Sequence, residues 1–353
     1  MLAVAKPGDA IFNEAQLFQK WLREWGYVSD IYAEGIDCDL PPGAAYPYAK
    51  LRGKRSDTLL IYHYSIGSDL SPFVRGLSLP ILLVYHNITP CEFFRGVHQQ
   101  LYDNTRRGRE ELATFSTVPL ALGVSEFNSQ ELLALGFESV GILPLPVDEE
   151  RYAVAPDAET MERFGQGGTN ILFVGRIVPN KRQEDIIRTF YYYKRIDPAS
   201  RLFLVGSPEP CTRYRAWLDG YVKFLGLSDV HFCGHVTTAE LVAYYRLADV
   251  FLCMSEHEGF CVPLVESMYF GLPILAYAST GVPHTLGNAG VLFCRKDFPV
   301  VAEIIHLLTT DAALRSRLIE HQRERLESFR PNRIRVLLRA HLDTVISRLQ
   351  ASS

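Results

Sequence analysis

Two glutamates eight positions apart, Glu258 and Glu266, bracket the start of an apolar stretch in SEHEGFCVPLVESMYFG, residues 255–271. Upstream, FVGRIVPNKRQEDII, residues 173–187, sets Gly175, Arg176 and Lys181 just behind another apolar run. Carboxylates accept hydrogen bonds from hydroxyls, Arg presents a planar fork to phosphate oxygens, and Lys adds a compact charge. Between the glutamates, the N–H groups of Gly259, Phe260, Cys261 and Val262 stand where a helix would begin, a position that favours an anion. These residue types suit a ligand with hydroxyls at both ends and a phosphate in the middle. Taken singly, the plainer readings are an acidic helix-start residue with a surface glutamate, and two solvated cations on a loop. What favours a shared ligand is that both blocks fall at the same side of one sheet.

The elements that must position them follow from periodicity. Residues 250–253 (VFLC) form a buried strand, and the apolar run 262–269 is helical until Gly271 and Pro273 stop it. Glu258 then lies on the loop at the strand's carboxyl end, and Glu266 about one turn of roughly 3.6 residues inside the helix. The strand series begins at 170–174 and continues at 201–205, 230–233 and 273–276. An earlier series has a helix over 10–25, then extended segments at 27–32, 58–62, 80–85 and 120–124. Such alternation implies parallel sheets with helices on both faces. The fold class expected is α/β, two Rossmann-like doubly wound parallel-sheet domains facing across a cleft. The periodicity breaks within 143–168, giving domains at 1–150 and 151–330. Residues 331–353 form a C-terminal helix that crosses the junction or packs back on the first domain.

A chain of 353 residues exceeds one domain of about 150. With 48% hydrophobic and 22% charged residues and a net charge of −4, there is no bulk electrostatic case for nucleic acid. No apolar run approaches the roughly 18 residues of a membrane span, and MLAVAKPGDA lacks a signal peptide's apolar core, so a cytoplasmic location is expected. Seven scattered cysteines without a C-x-x-C pair speak against a disulfide framework or zinc site and for reduced core thiols.

With both blocks in order, residues 170–290 resemble the nucleotide-sugar-binding domain of retaining glycosyltransferases of family 4, which have the GT-B fold. The E-x7-E element is Glu258 to Glu266, and the G-R-x4-K element is Gly175, Arg176 and Lys181. The stretch HFCGHVTTAELVAYYRLADVFLCMSEHEGF matches the family's run from base-binding turn to sugar-binding loop. The resemblance implies transfer of a sugar from a nucleoside diphosphate sugar to a glycan, lipid-linked or small-molecule acceptor, with retention at the anomeric carbon. It implies that Glu258 holds hydroxyls of the donor sugar and Glu266 those of the ribose. Arg176 and Lys181 neutralise the diphosphate with the amides of Phe260 to Val262, and the turn Gly234, His235, Val236 meets the base. No metal or cofactor is expected beside the sugar nucleotide. The sequence departs from the family at Cys261, where glycine is frequent, and at His284, where glutamate is frequent.

The first half is less diagnostic. His86 in HNITP follows an apolar strand and, by the same resemblance, contacts the donor sugar across the cleft. His63 in IYHYS is the competing candidate, and a structural role stands beside both. Gly8 belongs to a turn resembling the fold's first glycine-bearing loop, which approaches donor phosphate or acceptor. Ser125 reads as a helix cap. Asp37-Cys38-Asp39 spells D-x-D, a metal signature of another glycosyltransferase fold, in the wrong context. Gly165, Gly167 and Gly168 precede a strand instead of following one, which excludes the dinucleotide-loop geometry. Arg106, Arg107 and Arg109 read as a solvated helix face, with an anionic acceptor or the inner membrane surface as the alternative. Two rival functions remain: a non-catalytic sugar-nucleotide-binding subunit, and a GT-B phosphorylase or epimerase.

Overall fold

The computed structural model describes residues 1–51 and 57–351. The chain divides into two compact units, one of residues 1–92, 99–146 and 331–353, the other of 93–98 and 147–330. Of the C-terminal segment, 352–353 lie outside the described residues.

Among the described residues the first unit has seven parallel strands: β1 (Leu2–Ala5), β2 (Tyr32–Ile36), β3 (Tyr46–Pro47), β4 (Leu60–Tyr64), β5 (Ile81–Tyr85), β6 (Leu120–Gly123) and β7 (Val140–Ile142). Pairing runs β1-β2-β3 and β4-β5-β6-β7. The two groups meet along β1 and β4, where the His63 N–H donates to the Met1 carbonyl at 2.9 Å and the Met1 ammonium to the Ile61 carbonyl at 2.7 Å. The strand order therefore reverses between β1 and β4.

The second unit repeats the plan with β8 (Asn170–Val174), β9 (Arg201–Val205), β10 (Val230–Gly234), β11 (Val250–Cys253), β12 (Ile274–Tyr277) and β13 (Val291–Phe293), ordered β10-β9-β8-β11-β12-β13 and wholly parallel. Its order reverses between β8 and β11, which pair through Val250↔Ile171 and Phe251↔Leu172. Strands buried on both faces are continuous apolar runs. That is why NILFV, RLFLV and VFLC declare themselves in the sequence.

The segment expected as a strand at 27–32 is a correction. Gly26 takes φ +89 after the helix Ala10–Glu24, Val28 is 94% exposed, and pairing begins only at Tyr32. An exposed valine at a sheet entry has nothing to pack on, so the strand starts later. β3, β7 and β13 are short and were not expected from periodicity.

The core of the first unit has two faces. One is led by Tyr62, Tyr64, Tyr85 and Phe115. The other joins Phe18 and Trp21 of the helix Ala10–Glu24 to Leu82, Leu122 and Leu143 and to Ile334, Leu338, Leu342 and Val345 of the helix Pro331–Ala351. The C-terminal helix is thus a structural member of the first unit. Among the described residues, no helix is long and apolar enough to cross a membrane.

Candidate nucleotide-sugar site

Ligands of open α/β sheets sit beyond the strand carboxyl ends where the strand order reverses. In the second unit that place belongs to the loops after β8 and β11. After β8 the chain passes Gly175 (φ +151) and Arg176 into a tight turn, Pro179–Lys181, then Arg182 (φ +54) and the helix Gln183–Tyr193. After β11 it runs through Glu258 to Cys261 and into the helix Val262–Phe270.

These two loops bring Lys181 and Glu258 together. The Lys181 Nζ donates to both carboxylate oxygens of Glu258, at 2.6 and 2.5 Å. Glu258 is 7% and Lys181 21% exposed at the side chain. Burial pulls the Lys181 ammonium down, but the Glu258 carboxylate outweighs it and leaves its pKa raised. Arg176 is different. It is exposed, and among the described residues its guanidinium makes no ion pair. One cation is held in an ion pair, and the other is exposed.

The backbone around Glu258 is over-determined. Its N–H donates to Thr280 Oγ1 at 2.8 Å, its carbonyl accepts from the same hydroxyl at 2.8 Å, and the Gly281 N–H adds a bond to that carbonyl at 2.9 Å. Asn180, beside Lys181, donates its amide to the His257 carbonyl at 3.0 Å and accepts from the Glu256 N–H at 2.9 Å. A Cβ on Gly281 would meet the Gly259 carbonyl oxygen at 2.1 Å, and one on Gly206 the Gly175 oxygen at 2.0 Å. Both loops are therefore set by backbone contacts that only glycine permits. Beneath them, Lys296 reaches Asp185 at 2.7 Å and Glu256 at 2.8 Å, and Arg182 pairs with the same two acids.

Glu266 lies in the helix Val262–Phe270, 6% exposed. Tyr152 donates its phenol to one oxygen, and Tyr245 donates to the other at 2.5 Å. Burial first, then the Glu266 charge, pushes both phenols up, so they stay protonated donors. Cys261 caps this helix at φ +68, the left-handed region that glycine enters without cost. Its thiol shares a hydrogen bond with Cys253, and that bond, burial and the nearby Glu258 carboxylate hold it well above its ordinary value. Gly259 and Phe260 are buried beside it, and Val262 opens the helix. Gly234 (φ +70) ends β10, its carbonyl taken by the Gly206 N–H at 2.9 Å, with His235 exposed next to it and then Val236. His284 is exposed, and its carbonyl accepts from Arg325 at 2.5 Å.

In the first unit, Gly8 (φ +77) is exposed, and Asp9 caps the helix Ala10–Glu24. His86, expected by the resemblance to face the cleft and contact the donor sugar, has a buried side chain. Its side chain is 3% exposed, and its Nε2 lies 3.0 Å from Nδ1 of His63 and 3.3 Å from the Glu14 carboxylate. The competing histidines are thus neighbours, drawn together over an acid that helical periodicity alone did not single out. Asp37, Cys38 and Asp39 form a local turn in which Asp37 accepts from the Asp39 N–H at 3.0 Å. The arginine cluster is no free cationic patch: Arg107 pairs with Asp69 and Glu111, Arg109 with Glu131, and Arg106 with Glu110. The seven cysteines are all free thiols, four of them buried.

Two doubly wound units with these strand orders make the GT-B fold. Residues 160–325 match the family model described as Glycosyl transferases group 1. One relative is the GDP-mannose-dependent alpha-(1-6)-phosphatidylinositol monomannoside mannosyltransferase of Mycolicibacterium smegmatis, 30% identical over 182 residues, 48% of this chain and 47% of the relative. Another is the mannosylfructose-phosphate synthase of Agrobacterium fabrum, 32% identical over 151 residues, 40% of this chain and 33% of that one. The chain thus spans about half the length, or less, of these relatives. In fold it is similar to the sucrose-phosphate synthase of Thermosynechococcus elongatus, with a TM-score of 0.74 at 19% identity over 100% of this chain and 96% of that one. The Anabaena HepE protein in complex with UDP-glucose gives 0.73 at 17% identity, over 97% and 99%.

Proposed function

We propose that this protein transfers a sugar from a nucleoside diphosphate sugar to an acceptor hydroxyl of a glycan, lipid-linked or small molecule, with retention at the anomeric carbon. The observation that carries the reading is the Lys181–Glu258 pair at the reversal of strand order, with Arg176 exposed on the adjoining loop. In this reading Glu258 turns toward donor-sugar hydroxyls while Lys181 moves its charge onto the diphosphate beside Arg176. Glu266, steadied by its two phenols, receives the ribose hydroxyls. Amides at the start of the helix Val262–Phe270 add dipolar stabilisation. The bond from the anomeric carbon to the diphosphate oxygen breaks, and one to the acceptor oxygen forms on the same face. The acceptor's proton passes to the departing phosphate oxygen, so no carboxylate has to act as nucleophile. GDP-mannose in one relative's name and UDP-glucose in the HepE complex support a nucleoside diphosphate sugar as donor.

The purified protein, supplied with a panel of nucleoside diphosphate sugars and simple acceptors, is expected to release nucleoside diphosphate in step with glycoside formation. Glu258→Ala and Arg176→Ala each lower that turnover by about a hundredfold or more with the fold intact, since Glu258 positions the donor sugar and Arg176 puts fixed positive charge at the leaving group. Product NMR reads the anomeric configuration. Nucleotide binding without transfer would convert the reading into a binding subunit, and an inverted product would remove retention.

A further inference from the structure

At the carboxyl edge of the first unit's sheet, three donor atoms from three separate elements converge. Oε2 of Glu14, from the helix that follows β1, lies 3.2 Å from Nδ1 of His63 and 3.3 Å from Nε2 of His86. The two nitrogens are 3.0 Å apart. His63 is the penultimate residue of β4, and His86 directly follows β5. All three side chains are at least 97% buried. The cluster occupies the place where this unit's strand order reverses, the position at which open α/β sheets take ligands.

The two imidazoles share one hydrogen bond, and hydrogen bonding within the protein leaves the rest of the cluster unsatisfied. Among the described residues neither oxygen of Glu14 has a partner of acceptable geometry, nor does Nδ1 of His86. A buried carboxylate without compensation is costly. Three ligands of a tetrahedral zinc ion at about 2.0–2.1 Å stand roughly 3.3–3.4 Å from one another, and the triangle seen here has nearly those edges. Two imidazoles and one carboxylate suit a borderline cation over a hard one, which prefers an all-oxygen shell.

We propose that Glu14, His63 and His86 form a binding site for one divalent cation of the zinc class, with a fourth position left for a water or ligand oxygen. The site ties the helix Ala10–Glu24 to the ends of β4 and β5. Its residues stand at 14, 63 and 86, so no short motif could announce it. The inference is independent of sugar transfer.

Untagged full-length protein, stripped with chelator and dialysed against zinc, is expected to retain one equivalent by elemental analysis and to melt at a higher temperature than the stripped form. Cobalt in its place should give the intense visible bands of a four-coordinate nitrogen and oxygen site. His63→Ala and the near-isosteric Glu14→Gln should each weaken binding by about a hundredfold, a fair share for one ligand of a small metal site. Cys38→Ser and Cys253→Ser should leave it unchanged, which separates the trio from the two other clusters of ligating side chains, 37–39 and Cys253–Glu258–Cys261. Absence of a retained equivalent, a sulfur-to-cobalt charge-transfer band, or loss of binding in a cysteine variant would overturn the proposal. Should the trio variants fail to fold, the wild-type cobalt spectrum and the reversible chelator-dependent melting shift decide it.

Discussion

Glu266 carries a phenol on each carboxylate oxygen, and that changes what the second glutamate of the pair is. A lone buried carboxylate would be costly and free to rotate. With Tyr152 and Tyr245 donating, it is compensated and aimed, its remaining lone pairs open to hydroxyls. A hydrogen bond to a charged group is worth about 1.5–3 kcal/mol. Tyr152→Phe or Tyr245→Phe keeps the ring, and for Tyr245 its stacking on Phe270 at 4.8 Å. Each is expected to weaken nucleoside diphosphate binding by about tenfold with little loss of secondary structure, as titration calorimetry would read. Affinity unchanged in both Phe variants, while Glu266→Ala abolishes it, would mean the phenols serve packing only. Glu266 itself was visible in the sequence through its spacing to Glu258. Tyr152 was not, because it stands 114 positions away and meets the carboxylate only through tertiary packing. Asn180 and Thr280 escaped for the same reason: their action is on backbone groups of a distant loop.

At the scale of elements, the site is two loops fastened to each other, and glycine sets how closely they approach. Gly281→Ala drives a methyl to 2.1 Å from the Gly259 carbonyl and 2.9 Å from that of Glu258, where backbone has to move. Such overpacking costs about 1–3 kcal/mol. It should also displace Glu258 from Lys181, so turnover falls further than the melting temperature suggests. Gly220→Ala is the control: exposed within the helix Thr212–Phe224, its Cβ meets nothing within 4 Å, and it should stabilise by about 0.5–1 kcal/mol. Equal activity for the two alanine variants would refute the claim that Gly281 sets the Glu258 loop. Buried elements were legible in the sequence, and marginal ones were not. β11 is an unbroken apolar run inside a parallel sheet, and β8 and β9 are apolar after their first residues, Asn170 and Arg201, so hydrophobicity marks all three. β7 and β13 have three residues each, partly exposed at sheet edges, and carry no period to read. The helix Val262–Phe270 was legible because Gly271, at φ +64, closes it.

For the whole molecule, the chain's last helix decides how stability is divided. Ile334, Leu338, Leu342 and Val345 complete the core face formed by Phe18, Trp21, Leu82 and Leu122, so the first unit cannot close its core until the final residues are in place. Fully burying each such side chain contributes about 1.5–3 kcal/mol, and four together rival the 5–15 kcal/mol that holds an ordinary domain folded. Removal of the helix should therefore unfold the first unit outright, and a single substitution can measure the effect without that ambiguity. Leu338 is 0% exposed, and Leu338→Ala should cost about 2–5 kcal/mol through lost transfer energy and a cavity. Lys181, Glu258 and Glu266, the proposed donor contacts, belong to the second unit. Denaturant unfolding followed by tryptophan emission, to which Trp21 and Trp25 of the first unit contribute, should shift to lower midpoint in the variant. Nucleoside diphosphate binding at low denaturant should keep its wild-type affinity. A loss of binding in parallel with the first-unit transition would instead make the two units a single cooperative block, with the C-terminal helix stabilising both.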